Sequence, residues 1–154
     1  MPEASRLDFV LDEQLCFALH TASRAMTGCY RPLLDGIGLT YSQYAVMIVL
    51  WEHESVALGT LCARLQLDTG TLSPLLKRLE AEGLLQRHRR AEDERTVQLT
   101  LTARGRELRG KAAAIQVRVQ ETTGLAPAAL AALREDLHAL AARLRAAHLV
   151  PEPV

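Results

Sequence analysis

The stretch Leu58 to Thr102, LGTLCARLQLDTGTLSPLLKRLEAEGLLQRHRRAEDERTVQLTLT, decides the fold. Leu61 and Leu65 lie one turn apart in a short helix read over Thr60–Gln66, with Thr60 able to cap its start. Asp68-Thr69-Gly70 interrupts that pattern with turn and capping residues. Leu72, Leu75, Leu76 and Leu79 then recur at helical spacing, which predicts a second amphipathic helix over Thr71–Glu82 with Ser73, Lys77 and Arg78 away from its apolar face. Gly83 supplies a left-handed stop. Beyond it the period shortens, and Leu84–Arg90 and Thr96–Leu101 read as two strands joined by the polar loop Ala91-Glu92-Asp93-Glu94-Arg95. Two short helices followed by a charged hairpin predict a winged helix-turn-helix. In that plan the second helix enters the major groove of a duplex, and the loop carries arginine to phosphate or into the minor groove. The pattern alone equally suits helices of an enzyme's helical domain with solvated charges.

The outward face of the second helix offers Thr69, Thr71, Ser73, Lys77 and Arg78. Hydroxyls near a helix start suit bases or phosphates, and Lys77 and Arg78 suit phosphates. The hairpin adds Arg89, Arg90, Asp93 and Arg95 as candidate contacts to double-stranded DNA. The run from about Leu61 to Thr102, with GLLQRHRRAEDERTVQLTLTARG at Gly83–Gly105, closely resembles the wing region of MarR-family transcriptional repressors. The family's wing signature, an acid followed two residues later by arginine, stands here as Asp93 and Arg95.

The wider bounds agree with this resemblance. The 154 residues suit a single domain with a real core. An apolar content of 49% with only 4% aromatic residues favours a mainly α protein rich in leucine and alanine, the wing being its small β part. No run of about 18 apolar residues occurs, so no membrane span is expected. No basic segment leads into an apolar one at the start, which predicts a cytoplasmic chain. The formal charge is zero overall but unevenly placed: Met1–Ala57 holds 3 Lys and Arg against 7 Asp and Glu, whereas Leu58–Gly105 holds 8 against 6. A confined basic hairpin, including Arg87-His88-Arg89-Arg90, predicts a local footprint on nucleic acid rather than nonspecific coating.

From Asp12 a long helical pattern carries Leu15, Ala18, Leu19, Ala22, Ala25 and Met26 on one face toward Leu33 and Leu34, with Pro32 predicting a kink or break. Met1 to Leu7 reads as a loose end. Thr40 or Ser42 caps a short, nearly all-apolar helix over Ala45–Trp51, with Trp51 in the core. After the wing, Thr102 caps a helix to about Glu121, and Pro127 opens another that carries Leu130, Leu133, Leu137, Leu140 and Leu144. Those leucines repeat at coiled-coil spacing. Residues of about 7–36 and 103–148 are therefore read as a dimerisation layer around a winged unit at about 41–102. A two-fold homodimer presents two such units to a palindromic operator about one helical turn apart.

Three cysteines, Cys16, Cys29 and Cys62, are too few for a disulfide framework, and an odd count raises the question of a reactive thiol. Cys16 borders the apolar face of the first helix with His20 one turn on; by spacing alone it is equally a small buried hydrophobe. LDEQLCFALHTASRAM at Leu11–Met26, followed by YRPLL at Tyr30–Leu34 and LTYSQY at Leu39–Tyr44, closely matches the organic hydroperoxide-sensing, OhrR-type branch of the family. The match covers most of residues 7 to 102, and the last helices agree only in pattern. The resemblance implies that Cys16 is the oxidised residue and that Tyr30 and Tyr41 hydrogen-bond its sulfur from the partner subunit. The chain departs from the branch at His20, where the family carries a tyrosine; an imidazole there accepts or donates a bond, and favours the thiolate when protonated.

No cysteine follows Cys62, where two-cysteine members carry a resolving thiol. Cys29 follows Cys16 by 13 residues, roughly 20 Å along a continuous helix, and would meet it only across a dimer. A one-cysteine mechanism with a low-molecular-weight thiol as partner and no cofactor is the expectation, with Cys62 in the core. Two other classes remain: a zinc-responsive or ligand-responsive regulator of the same fold, in which Cys16 and His20 join His53, Glu52 or Glu54 around a metal, and a thiol peroxidase. The peroxidase lacks the βαβ pattern and resolving cysteine that would support it.

Overall fold

The structure is a computed structural model that describes residues 9–147. After a single 3-10 turn at Leu11–Glu13 the elements run α1 (Leu15–Asp35), α2 (Tyr41–His53), β1 (Ser55–Ala57), α3 (Leu58–Leu65), α4 (Thr69–Ala81), β2 (Leu85–Arg90), β3 (Asp93–Leu101), α5 (Ala103–Thr122) and α6 (Pro127–Ala147). This is the mainly α winged helix-turn-helix that the sequence predicts. The chain divides after Val119 into two compact units, so α6 stands in the second and everything from α1 through most of α5 in the first. The N-terminal segment Met1–Leu7 lies outside the described residues.

Helix α2 is the core's centre. Its residues Val46, Met47, Val49 and Leu50 are almost wholly enclosed, joined by Leu61 of α3, Leu72, Leu76 and Leu79 of α4, and Leu84, Leu85, Leu99 and Leu101 around the sheet. Each fully buried aliphatic chain of this kind stabilises the fold by about 1.5–3 kcal/mol relative to exposure. Thr40 starts α2 with a full capping box: its hydroxyl accepts the Gln43 N–H at 3.2 Å, and the Gln43 carboxamide accepts the Thr40 N–H at 2.9 Å. Four residues of helix therefore precede the expected start at Ala45.

Five other features depart from expectation. Helix α1 runs unbroken through Pro32 to Asp35. The sheet has a third strand, β1, in the order β1-β3-β2, all antiparallel, with Val56 opposite Leu99. Because β1 delivers the chain directly into α3, that helix opens at Leu58 behind Ala57, and Thr60 is inside it rather than at its cap. Asp68 caps α4, its Oδ1 accepting the Thr71 N–H at 2.7 Å, so Thr69 and Gly70 form the first turn rather than an interruption. The wing turn is also shorter than the expected loop, since β3 already begins at Asp93, with a register shift between Arg89 and Arg90. Gly83, at φ 73°, ends α4 in the left-handed conformation as predicted. Thr102 caps α5 through its hydroxyl, which accepts the Gly105 N–H at 3.0 Å.

Candidate functional site

On α4 the buried Leu72, Leu76 and Leu79 leave Thr69, Gly70, Thr71, Lys77 and Arg78 exposed, with Ser73 half-buried. The N-terminal turn is exposed, and its Thr71 N–H is taken by the Asp68 cap. The Asp68 carboxyl is held below the usual aspartate range by its bond to the Thr71 N–H, so the cap stays ionised.

The wing is tied to α4 at its base. Glu80 accepts the Arg87 N–H at 2.9 Å and the Arg87 guanidinium at 3.1 Å, which also lowers the Glu80 pKa. Arg87 is thus a strut between helix and hairpin, and the basic run Arg87–Arg90 keeps His88, Arg89 and Arg90 as its exposed remainder. At the far end Asp93 turns inward: Oδ1 accepts the Arg95 N–H at 3.0 Å and Oδ2 the Thr96 hydroxyl at 2.9 Å, and these bonds depress its pKa. Arg95 projects from this fixed backbone and is exposed.

The second cluster gathers all three tyrosines of the chain. Ring centroids lie 5.3 Å apart for Tyr30 and Tyr41, 5.4 Å for Tyr30 and Tyr44, and 6.0 Å for Tyr41 and Tyr44. Tyr41 is exposed, Tyr30 half-buried and Tyr44 buried. Burial raises the pKa of Tyr30 and Tyr44; the neighbouring phenols raise Tyr44 further, while at Tyr30 the effect of Tyr41 is opposed by a hydrogen bond with Tyr44, and both remain protonated at neutral pH. Tyr44 is the member that sequence reasoning missed; its spacing of three from Tyr41, one turn on the same helix face, was the available signal.

Cys16 and His20 do not join this cluster within the chain. Both are exposed on the first turns of α1. Tyr30 is 14 residues further along the same uninterrupted helix, roughly 21 Å. Cys29 is exposed beside Tyr30, and Cys62 is half-buried against the core with its sulfur 3.8 Å from the Thr69 hydroxyl.

The carboxylates considered for a metal have other partners. Arg64 binds Glu52 at 2.7 Å and reaches His53 at 3.0 Å, and Arg106 binds Glu54 at 2.6 Å. Among the described residues, no three His, Cys, Asp or Glu side chains converge as a metal-ligand set. Between α2 and α5 lies a cavity of about 230 Å³ bordered by Tyr44, Ile48, Trp51, Arg109, Ala112 and Gln116. No helix among the described residues is long and apolar enough to cross a membrane.

Comparison with known proteins places this geometry. Residues 29–111 match the family model for the transcriptional regulator SarA/Rot. The organic hydroperoxide resistance transcriptional regulator of Bacillus subtilis is 49% identical over 102 residues, covering 66% of this chain and 69% of that protein. The HTH-type transcriptional regulator TtmR of Methylorubrum extorquens is 46% identical over 138 residues, covering 85% of this chain and 71% of its own length. Among solved structures, reduced AbfR of Staphylococcus epidermidis bound to DNA superposes with a TM-score of 0.72 at 33% identity, over 87% of this chain and 94% of that one. All three relatives are regulators, not enzymes. A capped α4, a hairpin braced on it by Arg87 and Glu80, and this kinship together make the chain a member of the MarR/SarA-type winged-helix family of DNA-binding transcriptional regulators.

Proposed function

We propose that this regulator is a homodimeric repressor that senses organic hydroperoxides through Cys16 and releases a palindromic operator when that thiol is oxidised. The observation that carries the reading is the separation of thiol from phenols. Tyr30 and Tyr41 meet in one chain while Cys16 stands at the other end of α1, so the site is complete only when a second copy sets its Cys16 against them. The name of the Bacillus subtilis relative points to the same oxidant class. Exposed Leu15 and Met26 on α1 and Leu133, Leu137 and Leu144 on α6 provide apolar surface for a dimer layer built from about 7–36 and 103–148. In the cytoplasm, the two-fold dimer presents Thr69, Thr71, Ser73, Lys77 and Arg78 of each α4 to successive major grooves, with Arg89, Arg90 and Arg95 of the wing, set by Asp93, flanking them.

The chemistry balances without a cofactor. The Cys16 thiolate attacks the terminal oxygen of ROOH; an S–O bond forms, the O–O bond breaks, and the alkoxide leaves as ROH after taking a proton. The sulfenic acid then condenses with a low-molecular-weight thiol, forming S–S and releasing water. Phenol donors from Tyr30 and Tyr41, and the imidazole of His20, stabilise the thiolate before attack. A bulkier sulfur displaces the phenols and shifts the spacing of the two α4 helices.

The decisive experiment is a gel-shift titration of wild type, Cys16→Ser, Cys29→Ser and Cys62→Ser with cumene hydroperoxide, paired with mass spectrometry of the wild type. Only Cys16→Ser should bind the operator yet fail to release it. Release by Cys16→Ser at wild-type peroxide concentration would refute the redox reading. It would favour a small-molecule ligand in the α2/α5 cavity, which Arg109 and Glu52 line together with the Tyr44 and Trp51 rings.

A further inference from the structure

The tyrosine cluster occupies the N-terminal end of α2, with Tyr41 its first residue, and the opposite end of the helix and its C-cap Glu54 are fastened at three points to the end of β3 and the first turn of α5. The Trp51 indole N–H donates to the Gly105 carbonyl at 2.8 Å in a buried bond. The Glu54 carboxylate takes the Arg106 guanidinium through both oxygens, at 2.6 Å from Nη2 and 3.0 Å from Nε. The Glu54 carbonyl accepts the Leu101 N–H, the last residue of β3, at 2.9 Å. Glu54 holds φ 61°, a conformation that a non-glycine residue keeps only where its surroundings impose it. Gly105 in turn lies so close to Leu84, the residue between α4 and β2, that a methyl there would overlap the Leu84 carbonyl.

We infer that α2, the first helix of the winged unit, is a rigid lever that carries displacement of the tyrosine cluster to the β3/α5 junction, with Trp51 and Glu54 as the positioning residues that fasten it; the inference rests on the hydroperoxide reading above. Tyr44 packs on both Tyr30 and Tyr41 and, 6.3 Å from it, edge-on against Trp51. A push on Tyr30 and Tyr41 therefore passes to Tyr44, along roughly 10 Å of continuous helix to Trp51, and into the β3/α5 junction. The cavity beside Tyr44, Ile48 and Trp51 leaves room on the α5 side for the helix to take a second position. Packed elements shift between discrete arrangements rather than deforming continuously, so fastening at one end and displacement at the other moves α4 and the wing together.

Trp51 is the chain's only tryptophan, and its emission reports on this end of α2, where it meets Gly105, Tyr44 and the cavity. In the wild-type dimer, cumene hydroperoxide should shift that emission with the time course of operator release; release with unchanged emission would overturn the lever. Trp51→Phe keeps a smaller aromatic ring and removes the N–H, and Gly105 sits within α5, whose helical bonds still serve its carbonyl. Arg106→Gln is the exposed counterpart for the Glu54 clamp. Reduced Trp51→Phe/Arg106→Gln should bind the operator within about threefold of wild type, and mass spectrometry should show Cys16 oxidised at the wild-type rate. The ratio of oxidised to reduced Kd should nevertheless fall about tenfold, within the usual range of site-to-site coupling. A merely structural role would lower affinity in both states and leave that ratio intact, which also overturns the lever. Wild-type protein that oxidises at Cys16 yet keeps its operator would instead overturn the hydroperoxide reading, and the lever with it.

Discussion

Substituting alanine for each of two glycines on α5 should move stability in opposite directions. An alanine at Gly110 meets nothing within 4 Å, so Gly110→Ala gains only the helix-propensity difference, about 0.8–1 kcal/mol of added stability. Gly105→Ala carries the same propensity gain, but its methyl overlaps the Leu84 carbonyl oxygen and stands 2.9 Å from Leu101 Cδ1. That carbonyl also accepts the Thr102 N–H at 3.2 Å, so relief of the overlap strains a bond at the helix start. Overpacking of this kind costs about 1–3 kcal/mol and the weakened bond about 0.5–1.5. Less the propensity gain, Gly105→Ala should destabilise by about 1–3 kcal/mol, and the two variants should differ by about 2–4. Urea unfolding followed by circular dichroism reads both midpoints, at one fixed protein concentration because a dimer's stability depends on it. A Gly105→Ala protein as stable as Gly110→Ala would refute the close approach of α5 to the α4/β2 junction.

Three further outcomes test the DNA-facing surface and its electrostatics. Arg95→Ala should weaken operator binding by about 1–3 kcal/mol at fixed salt while the protein remains dimeric, and unchanged affinity would remove Arg95 from the interface. Lys77→Ala should weaken binding to every sequence and lower the slope of log K against log salt by about one, whereas an unmoved slope would make Lys77 a solvated charge only. The carboxyls of Glu54, Asp68, Glu80 and Asp93 are all depressed, chiefly by hydrogen bonds to Arg106, Thr71, Arg87 and Arg95 respectively. Their contribution is present above the ordinary values of 4.5 for Glu and 3.8 for Asp and is lost as pH falls through the depressed ones. The thermal midpoint should therefore be level above about pH 5 and drop on acidification. Asp68→Asn, which keeps a capping oxygen without titrating, should make that drop shallower, and an identical acid limb would show that the Asp68 cap does not contribute to it.

Local pattern carried most of the fold into view. The leucine spacing of α4, the stop at Gly83, the shift to a two-residue period after it, and the Thr102 and Pro127 helix starts are all set by neighbours within a few residues. The exposure of Thr69, Thr71, Lys77 and Arg78 was legible for the same reason, since an outward face is the complement of a buried one. What tertiary structure alone decided involves partners far apart in the chain. Strand β1 is three residues long, too short for its own period to register, and exists because Val56 pairs with Leu99. That pairing, not a cap at Thr60, sets where α3 begins. Arg87 reads as one of a basic run until Glu80 claims it. Trp51 reads as core and Tyr44 only as part of the lead into its helix, and only packing brings Trp51 to Gly105 and Tyr44 against Tyr30. Cys16 marks the remaining boundary: it is exposed, and Tyr30, one of the phenols read as its partners, stands roughly 21 Å away along the same helix, so the tertiary structure of one chain does not bring thiol and phenol together.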